Sequence, residues 1–103
     1  MSTQFGYKVV RVYKRKMISS HAFSHQRVQY SRRFWTKPKR GALAVFQTYD
    51  AAKVFTVECR QKCPFEIVPC IYIPFRGKPP YKLRVKEKQF ASKVKLTRWY
   101  GEE

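Results

Sequence analysis

ALAVFQTYDAAKVF, residues 42–55, decides the fold prediction, because it contains a buried strand followed by the start of a helix. Residues 42–46 form an unbroken apolar run of strand length, which favours a strand buried on both faces. Thr48 is a suitable helix N-cap, and Asp50 places a negative charge in the first turn, where it suits the helix dipole. The apolar residues that follow recur at helical spacing, so we predict one main helix over about residues 49–62.

The segments on both sides of this unit are typical of strands, because they alternate apolar and polar residues or are rich in β-branched side chains. They are residues 7–13, 27–30, 66–73, 82–86 and 93–99.

Pro69 interrupts the fourth of these segments, which predicts an edge strand or a bulged strand. Its free edge, like that of a terminal strand, offers a site for pairing across a homodimer. We find no repeat and no domain boundary. The sequence therefore predicts a single α+β domain over residues 1–103, with a mostly antiparallel sheet of about five or six strands and one helix packed on it.

The charge balance indicates the kind of partner. The chain has 23 Lys and Arg against 6 Asp and Glu, a formal net charge of +17. Residues 1–49 hold 11 of the basic residues and no acid, whereas residues 50–103 hold the other 12 and all 6 acids. Repulsion between so many like charges opposes folding. A polyanionic partner offsets this repulsion, and the release of its counterions favours binding. Nucleic acid, or a complex that contains it, is the first candidate partner.

Three observations bear on the compartment. No apolar run approaches the roughly 20 residues of a membrane span, and no helix has a basic face opposite an apolar one, so no membrane partner is expected. The start, MSTQFGYKVV, lacks the apolar stretch of a signal peptide. The cysteines Cys59, Cys63 and Cys70 are odd in number, which favours reduced thiols inside a cell, in a cytoplasm-like compartment.

SRRFWTKPKRG, residues 31–41, is the main candidate for a nucleic-acid-binding site. Arginine and lysine neutralise phosphates while aromatic rings stack on bases, the combination used by RNA and single-strand binders. The polar faces of the segments at 82–86 and 93–99 form a second basic surface. The predicted nucleic-acid-binding residues are Arg32, Arg33, Trp35, Lys37, Lys39, Arg40, Lys82, Arg84, Lys86, Lys93 and Lys95.

The aromatic and lysine residues of this set also have a purely structural interpretation. Lysines on solvent-facing strands prevent edge-to-edge aggregation, and Trp35 suits a role in packing the loop on the core. Phe34, Tyr30 and Trp99 are further candidates for stacking on bases. The total charge, more than any single residue, therefore carries the prediction of a polyanionic partner.

Two further functions, zinc binding and catalysis, have little support in the sequence. His21 with His25, and Cys59 with Cys63, have spacings seen at structural zinc sites, but 33 residues separate the pairs and their order is not that of a zinc finger. No cofactor is predicted, and zinc binding by these four residues stays open. Catalysis is not predicted either, because the sequence has no local pair of carboxylates and no Gly-rich phosphate loop. Cys70 is expected to be a core sulfur, since no base lies near it in sequence.

The order of a YKVV strand, an FWTKP segment, a strand ending in VF, the TYDAAKVF helix, an EIVPC strand and a KVKLTRW strand resembles a group of small phage- and viral-type accessory proteins. That resemblance implies a viral accessory protein that acts inside its host cell. The strand, helix, strand run is also similar to part of the ADP-ribosyltransferase-like fold. That family needs a catalytic glutamate, and Glu58, Glu66 and Glu87 do not stand in its motif, so transferase activity is not expected.

The sequence thus predicts a viral nucleic-acid-binding protein without enzymatic activity, which engages RNA or single-stranded DNA through phosphate contacts and aromatic stacking. The alternative is an inhibitor or adaptor that binds a host defence ribonucleoprotein or nuclease, or that sequesters a nucleotide messenger. In that case the basic field steers the protein to an acidic groove on its partner.

Overall fold

The computed structural model describes residues 3–19, 27–39, 42–58, 65–77 and 88–98. Within these ranges the chain forms strands and one helix. In chain order they are β1 (Gln4–Tyr13), β2 (Lys16–Ser19), β3 (Gln29–Tyr30), β4 (Leu43–Phe46), α1 (Tyr49–Glu58), β5 (Phe65–Pro74) and β6 (Lys88–Leu96).

Strand β1 is long enough to pair with three other strands, and this closes the sheet. One edge of β1 pairs with β5 from Gln4 to Arg11. The other edge pairs with β4 at Tyr7 and with β2 from Val10 to Tyr13. Strand β6 pairs with both β4 and β5, so β1, β4, β6 and β5 form a small closed barrel, and β2 and β3 extend the sheet beside it.

The predicted α+β class, with one helix packed on a mostly antiparallel sheet, is therefore wrong, because a closed barrel of four strands forms the centre of the structure. All pairings in the described part of the chain are antiparallel, and the sheet closes on itself around its own core. Alternation along a strand shows which side chains share a face, but it does not show which strands pair. The observed helix ends at Glu58, the last residue described before residue 65, and the predicted strand at 82–86 lies outside the described residues.

The prediction of an edge strand at Pro69 is also wrong, because β5 is paired on both sides. The carbonyl of Pro69 accepts a hydrogen bond of 2.8 Å from the N–H of Thr97, so it points towards the β6 side. The N–H and C=O of one strand residue point the same way, so the missing N–H of Pro69 also faces that side. There Pro69 lies opposite Thr97, just beyond the last pair of the β6 ladder, and the Thr97 carbonyl accepts its hydrogen bond from Arg32 Nε instead.

The barrel interior and the helix form two separate apolar clusters. Alternate residues of the barrel strands point inward and are buried; they include Val10, Val45, Val68, Cys70, Tyr72, Val94 and Leu96. Helix α1 packs on the outer surface, where Ala51 and Ala52 are buried against Val9 and Phe46. The Thr48 Oγ1 accepts a 3.2 Å hydrogen bond from the N–H of Ala51, which confirms the predicted N-cap.

A bulge in β6 fixes which of its side chains reach the surface. Lys93 pairs with Ile73 and Ala91 with Pro74, so Ser92 is an extra residue on β6. Its hydroxyl donates a 3.2 Å hydrogen bond to the Ile73 carbonyl. Beyond the bulge Val94 and Leu96 face the core, as predicted from the alternation. Lys93 and Lys95 are consequently on the outer face.

Candidate nucleic-acid interface

The basic segment at 31–39 is held on the barrel through its backbone. Thr36 and Val94 exchange hydrogen bonds of 2.8 and 3.0 Å, and the Leu96 N–H donates a 2.9 Å bond to the Ser31 carbonyl. The hydroxyl of Thr36, a residue only 6% exposed, donates a 2.9 Å bond to the Gln29 carbonyl. The segment therefore lies along the edge of β6 beyond the end of β4, and Thr36, not an aromatic ring, is its main anchor.

Because the segment lies along β6, its arginines come next to the β6 lysines. Arg32 Nε donates a 3.2 Å hydrogen bond to the Thr97 carbonyl. An open cleft of about 470 Å³ lies at this junction. Its described lining is Arg32, Arg33, Lys95 and Arg98, with Ile71, Leu96 and Thr97.

The cleft lining combines four cations with apolar walls. Lys95 lies opposite Ile71 in the β5–β6 ladder, so a cation and an apolar side chain share the outer face there. Among the described residues that line the cleft there is no acidic side chain. Arginine offers a planar fork that matches phosphate, and lysine a point charge. We refer to this site, formed by Arg32, Arg33, Lys95 and Arg98, as the cationic cleft.

The predicted site residues divide between this cleft, other surfaces and parts of the chain outside the description. The structure brings together Arg32, Arg33 and Lys95. Lys37 and Lys39 are exposed farther along the same segment and are not among the residues that line the cleft. The cations Arg40, Lys82, Arg84 and Lys86 lie outside the described residues.

The aromatic side chains predicted to stack on bases differ in how much of the ring is exposed. Phe34 is 56% exposed. Trp35 is half-buried, and Lys93 Nζ lies 5.9 Å from its ring centroid, which covers part of that ring. Tyr30 is buried in the core, so its assignment as a stacking residue is wrong. Trp99 lies outside the described residues.

Arg98 is the site residue that the sequence prediction missed. Strict alternation along 93–99 places Arg98 on the same face as Val94 and Leu96, which is the core face. Strand β6 ends at Leu96, however, and the chain beyond it no longer alternates, so Arg98 is exposed at the cleft. In the sequence, only the positive charge of Arg98 indicates that it could belong to the site.

The barrel interior contains an unexpected cation. Lys8 is buried, its Nζ donates a 2.6 Å hydrogen bond to the Ala44 carbonyl, and the same atom lies 5.1 Å from the ring centroid of Tyr30. Burial lowers the pKa of Lys8 to about 8, and the neighbouring Cys70 opposes the shift. Burial raises the pKa of Cys70 to about 12 and also raises the pKa of Tyr30.

The raised pKa keeps Cys70 a neutral thiol at physiological pH, and the residue is a buried free cysteine. This confirms its predicted role as a core sulfur.

The candidate zinc site lies in a part of the chain that the structure does not describe. The possible zinc ligands His21, His25, Cys59 and Cys63 lie outside the described residues. In the ranges that the structure covers, no group of three or more His, Cys, Asp or Glu is placed to hold a metal ion. Helix α1, the helix in those ranges, is too short and too polar to cross a membrane.

Comparison with protein-family models, with curated proteins and with solved structures gives no match. The resemblances drawn from the sequence stay predictions, and a functional assignment rests on the cationic cleft and its surroundings.

Proposed function

We propose that this protein binds RNA or single-stranded DNA, with phosphates held in the cationic cleft and a base stacked on Phe34. The observation that carries the proposal is the convergence of Arg32 and Arg33 from one segment with Lys95 and Arg98 from β6 and its C-terminal continuation. The two pairs of cations lie more than sixty residues apart in sequence, and folding gathers them around one concave surface. Such a combination of a basic groove and an exposed aromatic ring is the common arrangement in single-strand binders.

The apolar wall of the cleft favours a flexible, single-stranded ligand. Ile71 lines the cleft beside the cations, and Phe34 lies next to Arg33 in the chain. A duplex offers mainly its phosphates to such a surface, whereas a single strand also offers unstacked bases. We place this binding in the cytoplasm of a host cell, where a viral accessory protein meets such strands.

Fluorescence anisotropy tests the proposal directly. Labelled oligothymidylate and oligouridylate of about 12 nucleotides are titrated at low salt, with a duplex of equal length as competitor. We expect single strands to bind and the duplex to compete poorly. Equal competition by the duplex removes the stacking part of the proposal, and no binding at low salt removes the whole.

The volume of the cleft favours a second candidate function, the capture of a nucleotide messenger. About 470 Å³ lies within the usual range for small-ligand sites, and four cations suit a ligand with two or more phosphates. Calorimetry with cyclic oligonucleotides separates the two functions. A messenger-binding protein binds the small ligand more tightly than an oligonucleotide, whereas a strand-binding protein gains affinity with length.

Exposed valines on helix α1 favour the adaptor alternative. Val57 is 73% exposed and Val54 49%, although the helical spacing predicted that Val54 faces the core. An adaptor that uses this face captures one host protein from lysate even after nuclease treatment. A nucleic-acid-binding protein instead captures many proteins, and nuclease releases them.

A further inference from the structure

The turn between β1 and β2 has an unusual sequence for its backbone conformation. Tyr13 pairs with Lys16, so Lys14 and Arg15 alone form the turn. Both have positive φ values, 49° and 65°, as in a type I′ turn. That turn strongly prefers Asn-Gly, because most side chains are strained in the left-handed region. Two long cationic side chains therefore occupy positions where folding alone favours small residues.

The tip of this hairpin presents charge and an aromatic ring to solvent. Lys14, Arg15 and Lys16 are exposed. Tyr13 is 53% exposed, and Lys14 Nζ lies 5.4 Å from its ring centroid. Like the basic segment at 31–39, which carries the exposed Phe34, the tip combines cations with an exposed aromatic ring. We refer to residues 13–16 as the hairpin tip.

The topology places the hairpin tip at the same end of the sheet as the Arg32–Arg33 pair of the cleft. Strand β2 begins at Lys16 and β3 ends at Tyr30, and the two strands are antiparallel with Met17 opposite Tyr30. The turn that precedes β2 and the Arg32–Arg33 pair that follows β3 consequently leave the same end of this ladder. Two groups of exposed cations therefore project from one end of the sheet.

We propose that the hairpin tip is a second phosphate-binding arm of the same nucleic-acid site, so that a bound strand continues from the cationic cleft across the tip. This inference rests on the proposed function. The cleft holds one or two nucleotides, and Lys14 and Arg15 bind phosphates farther along the strand. The tip thereby makes the protein a strand binder with a multi-nucleotide site, not a receptor for a small nucleotide.

The turn itself provides a test variant that does not threaten the fold. Lys14→Asn with Arg15→Gly removes two charges and installs the preferred type I′ sequence, so its Tm should rise. The matched control is Lys53→Gln with Arg76→Gln, which removes two exposed charges from α1 and from the residues after β5. Both variants have the same net charge, so the loss of overall positive potential weakens oligonucleotide binding equally in the two.

The readout is the salt dependence of binding to oligothymidylate of about 12 nucleotides. A single strand gives a slope of about 0.7 per phosphate contact, so the turn variant should lose about 1.4 from the slope of log K against log salt. The control should keep the wild-type slope. A turn variant that matches the control overturns the inference.

A third variant, Arg98→Gln, separates failure of the inference from failure of the proposed function. If Arg98→Gln loses slope while the turn variant does not, the cleft binds nucleic acid and the tip does not. If the wild-type protein does not bind the oligonucleotide at low salt, the proposed function and the inference fall together.

Discussion

Thr36 and Val94 form an isolated antiparallel bridge, with hydrogen bonds of 2.8 and 3.0 Å in the two directions between their backbones. This bridge joins a basic segment that has no regular secondary structure of its own to β6, a barrel strand that is paired with both β4 and β5. The side chain of Thr36 strengthens the same attachment through its bond to the Gln29 carbonyl. The position of Arg32 and Arg33 at the cationic cleft follows from this attachment.

Thr36→Val should loosen the segment while it preserves the shape of the side chain. The variant leaves the partly buried Gln29 carbonyl without its side-chain donor, so we expect a loss of about 1 kcal/mol in the free energy of unfolding. Affinity for oligonucleotide should fall and the salt slope should stay, because no charge is removed. Urea denaturation and anisotropy measure the two effects. The control is Thr56→Val, where the hydroxyl bonds an exposed carbonyl within α1; equal losses in both variants contradict the anchoring role.

Phe34→Ala should weaken binding without changing its salt dependence. Stacking of one base on an aromatic ring contributes about 1–3 kcal/mol, so affinity should fall roughly tenfold or more. Phe34 is mostly exposed, and its removal should leave the Tm almost unchanged. Phe5→Ala is the matched control, since Phe5 is similarly exposed on β1. The stacking role fails if both variants bind like the wild-type protein.

The buried amine of Lys8 makes stability depend on pH in a direction that is unusual for a basic protein. Its pKa is about 8 in the folded state and 10.5 in the unfolded chain. Below about pH 8 both states are protonated, and the folded state carries the whole cost of the buried charge. Between these pKa values the folded protein has released the proton that the unfolded chain keeps, so stability rises with pH.

Lys8→Met should therefore stabilise the protein at neutral pH, by about 2 kcal/mol after the lost bond to the Ala44 carbonyl is included. This difference should change by about 3 kcal/mol between pH 7 and pH 10.5, so that the variant becomes the less stable protein at the high end of the range. Cys70 ionises in the unfolded state first and lowers stability above about pH 9, but it does so in both proteins. Urea denaturation across this pH range gives the difference. An advantage that does not change with pH contradicts a buried, shifted Lys8.

Gly6 is required where β1 passes β4 and β5. A Cβ at this position would lie 2.7 Å from the backbone oxygen of Phe46 and 3.0 Å from the ring of Tyr72. Gly6→Ala should cost about 2–3 kcal/mol, because neither neighbour can move without disturbing the barrel. Gly77→Ala is the control: its close contacts are with the Phe75 ring, a side chain that can rotate away. Thermal unfolding compares the two, and similar Tm values for both variants contradict the packing described for the barrel.

The sequence predicted local structure well wherever one short stretch contained the whole signal. The N-cap at Thr48 and the outward-facing Lys93 and Lys95 followed from residue types and alternation. Barrel closure did not follow, because it depends on β1 pairing with β5 across more than fifty residues of chain. Pro69 was misleading for the same reason. Whether its missing N–H disrupts the sheet depends on the strand beside it, and the β6 ladder ends next to Pro69.

The candidate site was predictable in part. The charge of the segment at 31–41 indicated a phosphate-binding surface, but the sequence did not show which cations converge. Arg98 was missed because alternation assigns it to the core, and Tyr30 was overvalued because an aromatic residue beside basic residues suggests stacking. Lys8 was unexpected, since a lysine between apolar strand residues reads as a surface position although it points into the barrel.

The salt dependence of oligonucleotide binding, measured for the wild-type protein and for Arg32→Gln with Arg98→Gln, bears most directly on the cationic cleft. We expect the wild-type affinity to fall steeply with salt and the double variant to lose about 1.4 from the slope, or two phosphate contacts. The Lys53→Gln, Arg76→Gln variant should retain the wild-type slope. Identical slopes for all three proteins, or no binding at low salt, would contradict a phosphate-binding cleft.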